Sequence, residues 1–343
     1  MHIFVQIVKL ITMLIVSAYF LKQLIPKKHV DPTDLGKLAR LQAQNEISLS
    51  RPLTERARPK TLSEISGQKD AIFALKAALF GKYPKHVILY GPPGVGKTTA
   101  ARLILKEAVK SHESPFRKDA PFVEMDASLI RCDERGIADP LIGSVHDPIY
   151  QGAGEKGERG VPQIREGAVS RAHGGVLFLD EIGEMHPMEM MRLLKVMEDR
   201  RVHFESAYFD PNMQGMDEYT KNVFLYGLPA DFRLIAATTK KPEYLPKALR
   251  SRAVEIRFSH LTDKEKAKIV MQAAKKCKIR LSDEICMEIS KNAGSGRKSV
   301  SLLELSIGAC AANGRMQVLK KDVEWAIQAF GDQNENFQND KYA

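Results

Sequence analysis

Cysteine and tryptophan are scarce in this chain of 343 residues, which contains four cysteines and one tryptophan. The cysteines are Cys132, Cys277, Cys286 and Cys310, and no two of them form a C-x-x-C pair. Small disulfide-held secreted proteins are richer in cysteine, and cysteine-based zinc sites use closely spaced pairs, so the sequence excludes both classes. We interpret the four residues as reduced thiols in a cytosolic setting.

A large excess of one charge is also missing from most of the chain. The net charge of +10 comes from 52 Lys and Arg against 42 Asp and Glu, and residues 1–60 alone carry +6 of it. A nucleic-acid groove concentrates basic residues on the folded body, so we expect no nucleic-acid partner. With 44% hydrophobic residues, the chain is long enough for two or three packed domains.

One long apolar run lies at the N-terminus, from Ile3 to Ile25. As a helix rising about 1.5 Å per residue, this run is long enough to cross a hydrocarbon core of about 30 Å. Lys22, Lys27 and Lys28 flank its C-terminal end, which places the rest of the chain in the cytoplasm by the positive-inside rule. We predict a single-pass anchor in the cell membrane, with an amphipathic surface helix or a cleaved signal peptide as alternatives.

The strongest local signal is the run HVILYGPPGVGKTTAARLILKEA at residues 86–108. An apolar, β-rich stretch precedes a glycine-rich loop, and a segment with helical periodicity follows it, which is the order of a Walker A phosphate-binding loop. We expect loop N–H groups and Lys97 to bind the phosphates of ATP, and the Thr98 hydroxyl to ligate Mg²⁺. The candidate binding residues are Gly91, Pro92, Pro93, Gly94, Val95, Gly96, Lys97, Thr98 and Thr99.

Two further apolar runs end in polar side chains. The run GGVLFLDEIGEM predicts a buried strand that ends at Asp180 and Glu181. We predict that Asp180 holds Mg²⁺ and that Glu181 activates the water attacking the γ-phosphate. The run FRLIAATT predicts another buried strand ending at Thr239.

From residue 260 the pattern is helical, with a capping box at Thr262 to Glu265.

These landmarks, in this order and spacing, resemble an AAA+ ATPase over residues 51–330. The resemblance implies an α/β fold with a parallel-sheet core, a small all-helical lid domain and a homo-hexameric ring. It also implies that Arg58–Gln68 contacts adenine. The implied domains are a transmembrane anchor (1–26), a juxtamembrane linker (27–50), the α/β nucleotide-binding domain (51–259), the helical lid (260–331) and a polar tail (332–343).

Three more site residues follow from the same resemblance. Thr239 matches the sensor 1 position, and Arg297 matches sensor 2 on the lid. Arg252 matches the arginine finger, which contacts the γ-phosphate held by a neighbouring subunit, and Arg250 is the alternative finger.

The segment from Arg131 to Gly157, together with REGAVSRAHGGVLFLDEIGEM, resembles membrane-associated Lon-type proteases, closest to bacterial LonB. That family pulls polypeptide substrates into a peptidase chamber with a Ser-Lys dyad. Only a polar tail follows the lid, so we expect this chain to carry the motor without the peptidase. An enhancer-binding transcription activator and a non-functional truncated remnant are the alternative functions.

The stretch from Leu141 to Arg165 contains five glycines and predicts a loop or hairpin. Its apolar Ile149 and Tyr150 are candidate contacts to a peptide in the central pore of the ring. By resemblance to Lon, Leu141-Ile142-Gly143 is an equally good candidate, and a loop anchored by packing is the alternative for Ile149 and Tyr150.

Overall fold

The structure, a computed structural model, describes residues 50–331 except 131–138, 147–161, 207–208 and 212–215, together with residues 13, 40, 41 and 44. The described residues from Pro52 onward form one compact unit. The predicted anchor (1–26), linker (27–50) and tail (332–343) therefore lie almost wholly outside the described residues. Among the helices that are described, none has both the length and the apolar character that crossing a membrane requires.

A five-stranded parallel sheet forms the centre of this compact unit. The described strands are β1 (His86–Tyr90), β2 (Phe122–Asp126), β3 (Gly143–His146), β4 (Gln163–Glu166), β5 (Val176–Asp180), β6 (Arg201–Val202), β7 (Leu228–Pro229), β8 (Arg233–Thr238) and β9 (Ala253–Arg257). Five of them pair side by side in the order β2, β5, β8, β1, β9, and every pairing is parallel. The predicted α/β fold with a parallel core is confirmed. Residues that follow β1, β5 and β8 consequently meet at one edge of the sheet.

Both faces of this sheet are covered, as β5 illustrates. Leu177 and Leu179 belong to one buried cluster, whereas Val176 and Phe178 belong to the cluster on the opposite face. All four side chains are fully buried. A parallel strand packed on both faces is apolar at nearly every position, so it can be recognised in the sequence as a continuous apolar run.

Helices cover both faces of the sheet and also form the region that follows it in the chain. The described helices are α1 (Leu53–Arg56), α2 (Lys69–Leu79), α3 (Lys97–Ala108), α4 (Ala168–Arg171), α5 (Pro187–Asp199), α6 (Glu218–Tyr226), α7 (Lys247–Arg250), α8 (Asp263–Lys276), α9 (Asp283–Lys291), α10 (Gly296–Ala312) and α11 (Lys320–Gly331). Helices α2 and α3 pack on one face of the sheet, and α5 packs on the other.

The helices from α8 to α11 have a core of their own. Val270, Ile289, Leu303 and Val323 come from four different helices and are all fully buried in it. Helix α8 begins at the predicted capping box, in which Thr262 and Glu265 satisfy each other's backbone N–H groups. No strand occurs between residues 263 and 331.

The glycine-rich segment has an ordered base. Strands β3 and β4 pair antiparallel there, which confirms the predicted hairpin, while Ile149 and Tyr150 lie outside the described residues. Leu141 is fully buried, and the Asp139 carboxylate accepts the N–H groups of Leu141 and Ile142 at 2.9 and 2.8 Å. The prediction of a pore contact is wrong for Leu141, because its side chain packs into the core under the sheet.

Candidate nucleotide-binding site

The loop between β1 and α3 has a backbone that favours glycine. Gly91, Gly94 and Gly96 have φ angles of 147°, 73° and 106°, in a region that side-chain-bearing residues rarely adopt. A Cβ atom on Gly91 would lie 2.4 Å from the carbonyl oxygen of Phe258. Helix α3 starts immediately afterwards at Lys97, so its N-terminus faces the loop. Such a loop in front of a helix N-terminus is the arrangement that receives a phosphate.

Lys97 is buried within this loop. Its ammonium Nζ donates to the carbonyl oxygens of Gly91 at 2.6 Å and Pro92 at 2.9 Å. Burial lowers the pKa of Lys97, and the nearby carboxylates of Glu181 and Asp180 oppose that shift. The cation is thus held against the loop and lies within the electrostatic reach of both acids.

The carboxyl end of β5 meets the start of α3. Thr98 Oγ1 donates a hydrogen bond of 2.9 Å to Asp180 Oδ2, although 82 positions separate the two residues in the chain. A hydroxyl and a carboxylate oxygen side by side are the donors that Mg²⁺ prefers, with phosphate oxygens completing its shell. Within the described ranges, no group of three or more His, Cys, Asp or Glu residues could hold a metal. The Thr98 hydroxyl and the Asp180 carboxylate fit two ligands of a Mg²⁺ ion.

Glu181 sits beside Asp180 in an unusual backbone conformation. Its φ of 49° and ψ of 46° are left-handed, which a residue with a side chain adopts only when its surroundings enforce it. The carboxylate oxygen Oε2 accepts both the backbone N–H and the hydroxyl of Thr239, each at 3.2 Å. The structure therefore joins the predicted water-activating acid directly to the predicted sensor residue.

The helical region from α8 to α11 reaches the same loop through the start of α10. Ser295 caps this helix by accepting the N–H of Lys298 at 3.2 Å. A Cβ atom on Gly94 would lie 2.9 Å from Ser295 Oγ and 3.1 Å from the Cβ of Arg297. The charge of Arg297 also contributes to lowering the pKa of Lys97. Arg297 therefore lies at the phosphate end of the site.

The segment predicted to contact adenine lies against the phosphate loop and against the chain that follows β9. Ile65 Cγ2 would lie 3.3 Å from a Cβ on Gly96. Gln68 is almost fully buried, and its side-chain amide forms two hydrogen bonds with the backbone of Ser259, at 2.8 and 3.1 Å. This pairing fixes the segment against the chain that leads from β9 into α8.

Arg252 lies at the opposite edge of the sheet. The residue after it, Ala253, pairs with His86 at the start of β1, whereas the phosphate loop begins after Tyr90 at its end. Five strand residues at about 3.3 Å each separate the two edges by about 16 Å. Arg252 Nη1 donates to the Ala248 carbonyl at 2.8 Å, and Nη2 contacts a carboxylate oxygen of Glu198.

Arg250, the alternative finger, is held differently. Its Nε donates to Glu255 Oε1 at 2.6 Å, and this bond raises the pKa of the guanidinium. Glu255 lies within β9 and pairs with Ile88 of β1. Burial, and then the charge of the Glu255 carboxylate, raise the pKa of the nearby Tyr90 to about 12. The two arginines thus have separate acidic partners.

Most of the predicted site residues come together, and a few contacts were not predicted. The loop from Gly91 to Thr99 lies with Asp180, Glu181, Thr239 and Arg297, while Arg252 stands apart. Sequence reasoning did not find the contact of Ser295 with the loop or that of Glu198 with Arg252. The position of Ser295 could have been inferred, because a serine just before the apolar-periodic run of α10 is a preferred helix-capping residue. No pattern in the sequence indicates the contact of Glu198 with Arg252.

Comparisons with known proteins agree with this geometry. The sequence profile of the family described as AAA, the ATPase family associated with various cellular activities, matches residues 87–261. Lon protease 2 of Bacillus subtilis is 48% identical over 320 residues, which cover 92% of this chain and 58% of the relative. The chain thus spans little more than half the length of that relative.

Two solved structures share the fold. The Holliday junction branch migration motor RuvB of Thermotoga maritima is 22% identical with a TM-score of 0.53, covering 80% of this chain and 73% of that one. NtrX of Brucella abortus, solved in complex with ADP, is 17% identical with a TM-score of 0.51, covering 84% of this chain and 57% of that one. At these identities the similarity concerns the fold alone.

Proposed function

Because this chain belongs to the AAA family of ATPases and is related over 92% of its length to a Lon-type protease, we propose that it is a polypeptide-pulling motor. In this proposal, ATP hydrolysis in a homo-hexameric ring unfolds polypeptide substrates for ATP-dependent proteolysis. The observation that carries the hydrolytic part is the meeting of the Walker loop with two adjacent acids, Asp180 and Glu181, at the carboxyl edge of the sheet.

Each residue has a role that its position supports. The loop N–H groups and Lys97 bind the β- and γ-phosphates, and Thr98 with Asp180 holds Mg²⁺. When bound, the metal neutralises charge on the phosphate oxygens. Glu181 orients the attacking water and takes its proton, and Thr239 fixes the carboxylate that does so.

Two arginines complete the proposed site from different directions. Arg297 approaches the phosphates from the lid of the same subunit, in keeping with its effect on Lys97. Arg252 acts on the nucleotide of a neighbouring subunit, because it lies about 16 Å from the loop of its own chain. A ring in which each subunit lends one arginine makes hydrolysis depend on assembly.

The membrane anchor, the domain boundaries and the absence of a nucleic-acid partner are proposals that rest on the sequence alone. The extensive identity to Lon protease 2 favours a polypeptide substrate over the role of an enhancer-binding activator.

The unfolding role is tested with a fluorescent reporter protein that carries an unstructured peptide tag. We expect the full chain to abolish the reporter's fluorescence in the presence of ATP, and the Lys97→Ala variant to leave it unchanged. A slowly hydrolysed ATP analogue should support binding of the tag without unfolding. Robust ATP hydrolysis with no loss of fluorescence for any tagged reporter would contradict the motor role while leaving the ATPase chemistry intact.

A further inference from the structure

Arg252 lies in a cleft rich in positive charge at the amino edge of the sheet. The cleft has a volume of about 670 Å³. We call it the basic cleft; the charged residues that line it are Lys82, Lys85, Arg200, Asp231, Arg233 and Arg252. His86 also lines it, and the charges of Arg233 and Arg200 add to the effect of burial in lowering the pKa of that imidazole. Arg252 thus shares this space with four other cations.

Two carboxylates near this cleft pair with different arginines. Among the described residues lining it, Asp231 is the one carboxylate, and it pairs with Arg233 at 2.8 Å and Arg200 at 3.6 Å. The carboxylate of Glu198, from the last turn of α5, contacts Arg252 instead. A guanidinium surrounded by like charges is repelled toward solvent, and Glu198 is the group that counteracts this repulsion.

This contact orients Arg252 without using up its donors. A guanidinium has five N–H bonds in a rigid plane, and Arg252 directs one from Nη1 to Ala248 and one from Nη2 to Glu198. Three N–H bonds remain to meet phosphate oxygens. Two fixed points on a planar group determine its direction, so the arginine is pre-organised to receive an anion.

The helix that carries Glu198 is well anchored. Met190, Leu193 and Val196 of α5 are buried in the core on one face of the sheet. The helix begins at Pro187, six positions after Glu181, and its 13 residues span about 20 Å. It therefore runs from the region of the subunit's own acids to the arginine at the other edge, and Glu198 stands on a rigid support.

We propose that Glu198 is a positioning residue, which holds the Arg252 guanidinium in the orientation that reaches the γ-phosphate bound by a second copy of this chain. The proposal rests on the proposed function and deepens it, since it adds a residue that acts through the arginine finger. Glu198 itself touches no nucleotide in this arrangement.

The first test compares Glu198→Gln with a matched control on the same helix. Asp199→Asn removes the neighbouring ion pair between Asp199 and Lys195, which are 3.0 Å apart, and leaves the arginine untouched. We expect Glu198→Gln to lower kcat for ATP hydrolysis about tenfold, since small misplacements of a reacting group are costly. Its KM for ATP should change less than about twofold, because the loop that binds ATP is intact. Asp199→Asn should match the wild type in both constants, and a Glu198→Gln variant with wild-type kcat would overturn the proposal.

The second test distinguishes positioning in trans from a general structural defect. Lys97→Ala subunits cannot bind ATP properly but keep Arg252 and Glu198. In a mixed ring, each can therefore place a correctly oriented Arg252 at the intact ATP site of a neighbouring Glu198→Gln subunit. Turnover per Glu198→Gln subunit should rise in the mixture, whereas a constant value would contradict the proposal.

The variant Arg252→Ala separates failure of this inference from failure of the proposed function. If Arg252→Ala hydrolyses ATP at the wild-type rate, Arg252 is not an arginine finger, and its role in the proposed function is refuted. A large loss in Arg252→Ala with no loss in Glu198→Gln would overturn only the role of Glu198.

Discussion

The carboxylate of Glu181 is held by Thr239, which donates both its backbone N–H and its hydroxyl to the same oxygen at 3.2 Å. Thr239 follows β8 and Glu181 follows β5, and these two strands are neighbours in the sheet. The contact sets the direction of an acid whose own backbone is in a left-handed conformation. A general base must be aimed at its water, so this bond ties the sensor position to the chemistry.

Replacing Thr239 by alanine should slow hydrolysis and leave nucleotide binding nearly unchanged. The variant loses the hydroxyl and keeps the backbone N–H, so Glu181 is less firmly oriented. We expect kcat to fall about tenfold, which corresponds to about 1.4 kcal/mol. Thr239→Ser retains the hydroxyl and should stay close to the wild type. Steady-state phosphate release gives kcat, and equal losses in the serine and alanine variants would show that the hydroxyl has no such role.

An alanine at Gly94 should weaken ATP binding, because its Cβ would displace the start of α10 from the phosphate loop. The new Cβ would lie 2.9 Å from Ser295 Oγ and would have to push the start of α10 away. Gly174 is a matched control, because its φ of 75° is close to the 73° of Gly94 while nothing lies within 4 Å of its Cβ position. Both variants should lose about 1 kcal/mol of stability from backbone strain. Calorimetric titration with ATP should show reduced affinity for Gly94→Ala alone, and equal affinities would refute the lid contact.

Much of the site was predictable because its signals are local in the sequence. The strand, loop and helix around Lys97 follow one another directly, and the buried strand ending at Asp180 is recognisable from its continuous apolar run. That Asp180 then meets Thr98 follows from the parallel sheet, in which carboxyl ends share an edge.

The contacts that were not predicted depend on how distant elements pack. Glu198 and Arg252 are 54 positions apart and meet only because the last turn of α5 lies against the turn that precedes β9, at the amino edge of the sheet. Leu141 shows the same limit, since its glycine-rich surroundings indicate a loop and give no sign that its side chain enters the core. Periodicity assigns elements, but it does not say which helix end touches which side chain.

Acid should destabilise the protein through His86. Burial, followed by the charge of Arg233, lowers the pKa of this imidazole to about 4 in the folded protein, while the unfolded chain protonates near 6.5. Below pH 6.5 the unfolded state therefore binds a proton that the native state does not, and stability falls with pH until about pH 4. The full effect is roughly 3 kcal/mol.

Urea unfolding measured between about pH 7 and pH 4.5 checks this linkage. His86→Asn keeps an acceptor for the Leu234 N–H, which His86 Nδ1 accepts at 3.0 Å, and should flatten the dependence on pH. An unchanged slope in His86→Asn would assign the acid sensitivity to other groups.

The central claim, that Glu181 activates water beside an intact nucleotide and metal site, is tested most directly by following the fate of bound ATP in Glu181→Gln. The amide replaces the base, while Lys97, Thr98 and Asp180 are untouched. We predict that this variant binds radiolabelled ATP and Mg²⁺ with near wild-type affinity and retains it as unhydrolysed ATP over many wild-type turnover times. Conversion of the bound ATP to ADP at the wild-type rate would contradict the account.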